Sequence, residues 1–253
     1  MTMKLNINDR AALAIKNGSK KVEIRANKKD SGKDYGTLKT NDIIEFNSNN
    51  LDVFYVKVKE VNYYNSLEEL FTMEGTRYTT SSTNDYNEAI NNVNKLDGYK
   101  EAIRKNGVYA IHIEYLYSVN TVWEELIEKA NKVRNKREVS SMVSAGQVSA
   151  TILTKDHNIY TGVCIDTTSS LGMCAERNAI ANMINNGENE IIKLVCIDSK
   201  GNVGYPCGIC REYLMQLSKS SKDIEILKNI ENHEIIKLEE LIPNWWGYDR
   251  LWK

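Results

Sequence analysis

The chain of 253 residues has only two prolines, three histidines and three phenylalanines, and no cysteine before position 164. It also lacks any run of about 18 apolar residues, so no membrane-spanning helix is expected. The segment Met1 to Asn8 has no apolar core of the kind a secretory signal needs, and the expected location is the cytoplasm. Neither sign of charge dominates: 33 Lys and Arg stand against 34 Asp and Glu, so the molecule as a whole carries no field that gathers nucleic acid. The histidines, His112, His157 and His233, are scattered and form no ligand pattern.

What is present suffices for one large or two modest domains: 42% apolar residues for cores and 26% charged residues for surfaces. The first half reads as strands and loops. Residues 42–46, 53–61 and 107–116 are rich in β-branched and aromatic residues, residues 66–73 suggest a short helix, and the polar tract 79–92 reads as a loop leading into a helix. The boundary is placed at residues 118–120. Thr121 with Glu124 has the spacing of a capping box, and Val122, Trp123, Leu126, Ile127, Ala130 and Val133 recur at helical spacing behind it. The predicted domains are therefore 1–117 and 121–253. In the second, strands are expected at 147–153, 158–164, 192–197, 223–227 and 234–238, with helices at 174–186 and 207–217.

All five cysteines, Cys164, Cys174, Cys196, Cys207 and Cys210, fall in this second part. Their number is odd, and in a reducing compartment they are expected as ligands or core residues rather than disulfides. Cys174-Ala175-Glu176 precedes Pro206-Cys207-Gly208-Ile209-Cys210. Two thiolates three residues apart can grip one zinc ion, and a third from a distant segment leaves one tetrahedral position open, as in catalytic rather than structural sites. Each segment enters a predicted helix, where free N–H groups favour thiolates. Glu176, two residues after a ligand, is placed to handle the proton of a metal-activated water. Arg177, and secondarily Arg211, are candidates to donate to the sulfurs and offset their charge. A closed zinc knuckle leaves Glu176 and the missing fourth ligand unexplained, and a redox Cys-x-x-Cys pair lacks a thioredoxin-like context.

Residues 147–217 resemble the cytidine deaminase superfamily in its three-cysteine form, through Cys174-Ala175-Glu176-Arg177 and Pro206-Cys207-Gly208-Ile209-Cys210-Arg211. The resemblance implies an α/β/α sandwich around a mixed five-stranded sheet and one zinc per chain, held by Cys174, Cys207 and Cys210, with Glu176 catalytic. It also implies a cytosine-containing nucleoside or analogue (cytidine, deoxycytidine or a blasticidin S-like compound) as substrate, and a homodimer or homotetramer. Substrate contacts would fall at Ala175 and at Cys164 and Asp166, where the family has an Asn-x-Glu segment. A thiol cannot replace the paired donor and acceptor of an amide, which departs from ordinary cytidine recognition. Gly146 stands where the family has Phe, which implies a roomier pocket. Leu241-Ile242-Pro243 is similar to the ending of the blasticidin S deaminase branch. The aromatic group Trp245, Trp246, Tyr248 and Trp252 either closes a base-binding site, as the resemblance implies, or anchors the last segment on the core.

In the first half, Gly18-Ser19-Lys20-Lys21-Val22-Glu23-Ile24-Arg25, followed by Asn41-Asp42-Ile43-Ile44-Glu45-Phe46, resembles the ASCH domain, a small β-barrel related to the PUA fold and associated with RNA. Residues 16–39 hold eight Lys or Arg against three acids, so Lys20, Lys21, Glu23 and Arg25 are the candidate RNA contacts; a solvated loop face is the competing reading. Some small ASCH proteins are amidohydrolases. Their lysine matches Lys20 but their nucleophilic threonine aligns with Glu23, so that chemistry would need Glu23 as a base with Glu74 nearby. Two further functions stay open: an RNA-binding protein whose deaminase half acts on RNA or a modified nucleoside, and a non-catalytic, zinc-stabilised interaction protein.

Overall fold

A computed structural model describes residues 2–29 and 32–251. The chain divides into two compact units, residues 1–120 and 121–253.

The first unit runs β1 (Thr2–Asn6), α1 (Asp9–Lys16), β2 (Val22–Arg25), β3 (Ile43–Asn47), β4 (Phe54–Tyr64), α2 (Leu67–Glu74), α3 (Tyr86–Asn94), α4 (Tyr99–Asn106) and β5 (Val108–Ser118). Its five strands are ordered β1-β3-β4-β5-β2, with β1 and β3 parallel and the other neighbours antiparallel. Irregularities in the β4–β5 register at Tyr55/Val56 and Val58/Glu60 help the sheet to curl. The expected barrel is thus a half-barrel sheet, with no pairing between β1 and β2 among the described residues. One apolar cluster, including Leu5, Ile15, Ile44, Phe46, Phe54 and Ile111, fills the space under α1. A second, including Val22, Ile24, Leu70, Phe71 and Val108, packs under α2 to α4. Each of the first three helices opens on a capping side chain: Asn8, Ser66 and Asp85 accept from the amides of Ala11, Glu69 and Glu88.

The second unit runs α5 (Val122–Val133), β6 (Arg137–Ser140), β7 (Val143–Thr154), β8 (Ile159–Thr167), α6 (Ala175–Asn185), β9 (Ile191–Ile197), α7 (Gly208–Met215), β10 (Glu225–Leu227), β11 (Ile235–Lys237) and α8 (Leu238–Leu241). The sheet is mixed. The expected strands β7 to β11 are joined by a short sixth, β6, in the order β11-β10-β9-β7-β6, with β8 on the other edge of β7. Alternation along β7 and β9 assigns the faces. Ala150, Ile152, Leu194 and Cys196 meet α6, α7 and α8. Lys193, of the opposite parity, lies 4.4 Å over the Trp123 ring of α5, which places α5 on the other face.

The predicted capping box at Thr121 is not formed. Thr121 closes a 3-10 turn at φ −114° and ψ 12° and makes no side-chain cap bond. A capping side chain needs an extended backbone at that position, which the preceding turn denies it. Among the described residues no helix is long and apolar enough to cross a membrane.

Candidate metal centre

The thiols of Cys174, Cys207 and Cys210 converge. Cys174 is the N-cap of α6 and Cys207 the N-cap of α7, so two helix starts meet at one point. Sγ of Cys207 lies 3.5 Å from both Cys174 Sγ and Cys210 Sγ, and all three sulfurs fall within 4.8 Å of one another. Zinc–sulfur bonds of about 2.3 Å in tetrahedral geometry require sulfurs about 3.8 Å apart, close to what is seen.

Gly162 sets this convergence. A Cβ built there would lie 2.3 Å from the Ala175 carbonyl oxygen and 2.3 Å from the Ala179 amide nitrogen, so α6 lies directly on β8 only because residue 162 has no side chain. Asn178 then ties helix to strand by donating to the Val163 carbonyl at 3.1 Å. Arg211 fixes the second segment, donating to the carbonyls of Pro206 (2.7 Å) and Leu241 (3.1 Å).

The electrostatics suit a soft cation. Burial, then the nearby Glu176 and Cys207, push the Cys210 thiol far above its ordinary range, and burial also raises Cys174. Burial works against Cys207 as well, but the backbone amides of Cys210 and Ile209 and the neighbouring thiols outweigh it and hold this thiol below its usual value. Three converging sulfurs, two of them held against ionisation chiefly by burial, are the donor set a thiophilic divalent ion relieves.

Glu176, in the first turn of α6, is only 5% exposed. Burial pushes its carboxyl above the ordinary carboxylate range, against its own backbone amide, the thiols of Cys196 and Cys210, and Arg177. Cys196, on β9, was read from sequence only as one more thiol. It sits buried beside Glu176, a juxtaposition made by β9 packing against α6, with no local sequence signal. Arg177 donates to the Gly172 carbonyl at 3.1 Å, bracing the loop before Cys174. Its buried Nε has no partner, and among the described residues no hydrogen bond from it to a sulfur is seen.

The remaining substrate candidates divide. Ala175 is fully buried at the start of α6. Cys164 is buried, its sulfur accepting the Val148 amide at 3.2 Å and lying 3.7 Å from Asp166 Oδ2; Asp166 is exposed. Gly146 has a backbone reason: its φ is +84°, and a Cβ there would lie 2.1 Å from the Asn135 carbonyl oxygen, so no phenylalanine fits. Trp245 is 3% exposed within the core cluster, and both Trp245 and Trp246 donate their indole N–H to Glu212, at 2.8 and 2.9 Å. Tyr248 packs edge-on against Trp245. Trp252 lies outside the described residues.

In the first unit Lys20, Glu23 and Arg25 come together, whereas Lys21 is exposed with its ammonium 5.0 Å over the Tyr78 ring. Glu74 is engaged elsewhere, with His112 (2.9 Å), Tyr64 (2.7 Å) and Asn62 (3.1 Å).

Comparison with known proteins assigns both units. Residues 5–116 match the ASCH domain model, and residues 121–224 match the cytidine and deoxycytidylate deaminase zinc-binding region. A cytidine deaminase of Sporosarcina psychrophila is 30% identical over 122 residues, covering 47% of this chain and 88% of the relative. One from Mycobacterium tuberculosis is 30% identical over 107 residues, covering 41% and 75%. The crystal structure of cytidine deaminase from Mycobacterium tuberculosis aligns at 26% identity over 50% of this chain and 98% of that one, with a TM-score of 0.42.

Proposed function

The chain belongs to the cytidine deaminase family, with an ASCH domain ahead of the deaminase domain, and from that premise we propose that it is a zinc-dependent hydrolytic deaminase of a cytosine nucleoside or nucleoside analogue. The observation that carries the reading is the convergence of three thiols from the starts of two helices beside the buried Glu176 carboxyl in the first turn of α6. Cys174, Cys207 and Cys210 would hold the metal, and zinc bound there would supply the Lewis acidity that makes water a nucleophile near neutral pH.

The chain's own residues do the rest. Glu176 accepts a proton as the water oxygen bonds to the amine-bearing ring carbon, and returns it to the amine nitrogen as the carbon–nitrogen bond breaks and ammonia leaves. Burial raises its pKa above the ordinary carboxylate range, which makes it the stronger base for taking this proton. Ala175 and Gly162 keep α6 seated, so that Glu176 cannot drift from the thiols.

Recognition of the substrate departs from an amide-based sugar contact. Cys164 already accepts the Val148 amide, so the exposed Asp166 is the group that offers oxygen acceptors to a hydroxyl. A panel of cytosine, cytidine, deoxycytidine and blasticidin-like compounds, assayed for ammonia release with and without zinc, tests the reading. Glu176→Gln is expected to retain zinc and lose at least about a hundredfold in turnover, while Cys207→Ala loses the metal. Undiminished ammonia release by Glu176→Gln would overturn the assignment.

A further inference from the structure

The N-terminal unit contains a cavity that the deaminase reading does not use. It encloses about 480 Å³, within the roughly 300–1,000 Å³ typical of single small-ligand sites. Its floor is a charged group that the β2 segment turns inward. Val22 and Ile24 belong to the apolar cluster, and Glu23, Ile24 and Arg25 line the cavity. Lys20 and Glu23 are each 6% exposed. Lys20 Nζ donates to the Val22 carbonyl at 2.7 Å and to the Thr79 carbonyl, and lies 3.4 Å from Glu23 Oε2. Arg25 reaches Glu23 Oε1 at 2.8 Å and donates to the Asn6 carbonyl at 2.8 Å.

Two cations here share one carboxylate. Burying charge is costly unless each charge is matched, and the floor is left one positive charge in excess. Arg25 Nε is buried and has no partner. Arg10 and Lys28 also line the cavity, and Lys28 donates to the Asp97 carbonyl. Lys28 also stands 5.0 Å over the ring of Tyr99, a further lining residue. Lys20 and Arg25 on the single carboxylate of Glu23, with the buried Arg25 Nε unpartnered, mark the floor of the cavity for an anion.

The burial of the motif's Lys20 and Glu23 argues for one ligand rather than a strand. Lys20 and Glu23 lie at the bottom of a pocket and Lys21 packs over Tyr78, so the motif residues do not form a continuous phosphate-tracking strip. We propose that this cavity binds a small phosphate ester of the size and polarity of a nucleoside monophosphate, its phosphate between Arg25 and the Arg10–Lys28 wall. The hydroxyl and amide side chains of Ser81 and Asn92 meet the rest of the ligand.

Calorimetric titration of the full chain with AMP, ribose 5-phosphate, inorganic phosphate and a single-stranded ten-nucleotide RNA tests this. AMP lacks the cytosine ring, so its binding reports on this cavity and not on the deaminase site. The expected result is AMP binding tighter than about 1 mM and tighter than inorganic phosphate. Arg10→Glu, a change at an exposed position that leaves the core intact, should weaken AMP about tenfold or more, and Glu176→Gln should leave it unchanged. Arg25→Lys, which keeps the charge but removes Nε, should also weaken it. No AMP binding below about 1 mM, equal affinity for AMP and inorganic phosphate, or an AMP affinity indifferent to Arg10→Glu would each overturn the proposal. So would RNA binding that AMP does not compete away, which would restore the nucleic-acid reading of the motif.

Discussion

Replacing Gly162 by alanine should cost the C-terminal unit both stability and its thiol cluster. The new Cβ would lie 2.3 Å from the Ala175 carbonyl oxygen, 2.3 Å from the Ala179 nitrogen and 2.9 Å from the Asn178 carbonyl carbon. All three are backbone atoms of α6, so no side chain can rotate away. Ordinary contact begins near 3.4 Å, so helix and strand must separate by about 1 Å. Overpacking of this kind costs about 1–3 kcal/mol, or about 3–12 °C in the unfolding temperature of a unit this size. Cys174 and Glu176 ride on the displaced helix end while Cys207 and Cys210 do not. A misplacement of about 1 Å lowers turnover about a hundredfold. The assays are thermal unfolding, zinc content of the purified protein, and ammonia release on whichever cytosine compound proves active. An unfolding temperature unchanged within about 1 °C, together with turnover within about twofold of wild type, would refute the argument that this close approach holds the site.

Two other outcomes follow from contacts away from the thiols. Burial alone would raise the Glu74 carboxyl, but Tyr64, Asn62 and His112 outweigh it and hold the pKa below 4.5. Stability from this group is present above about pH 4.5 and is lost as the pH falls through the lower folded value. Unfolding curves measured between pH 3 and pH 6 should therefore show a steeper acid loss for wild type than for Glu74→Gln, and parallel curves would remove the argument. Glu212→Ala leaves the buried Trp245 indole N–H without its acceptor, for a loss of about 1–3 kcal/mol. Little should come from Trp246, which is half exposed, so Trp246→Phe is expected to unfold close to wild type.

Some features of this protein are written in short sequence segments. Cys174 with Glu176, and Cys207 with Cys210, specify ligand types and local spacing, and the helix that follows each pair is set by its own backbone preferences. The longer apolar strands of both units are legible for the same reason: their period and composition persist over many residues. The elements that escaped are short or polar. Strand β1 has only Met3 and Leu5 to bury, α4 only Ala102 and Ile103, and β6 is exposed along its length, so none carries a periodic signal of its own. Thr121 shows the opposite failure, a capping pattern defeated by the turn before it.

The tertiary structure decided where distant segments meet. Nothing local to β8 tells that Gly162 must admit α6, nor does β9 tell that Cys196 will stand beside Glu176. The alternation of β2 puts Glu23 and Arg25 on one face. Whether that face is surface or cavity depends on Thr79, which lies 59 positions away in the chain and whose carbonyl takes the Lys20 ammonium. Trp245 could be read as lid or anchor until Glu212 was found holding its indole. In each case sequence supplies the chemistry of a group, while burial and partners arise only when segments remote in the chain are packed against one another.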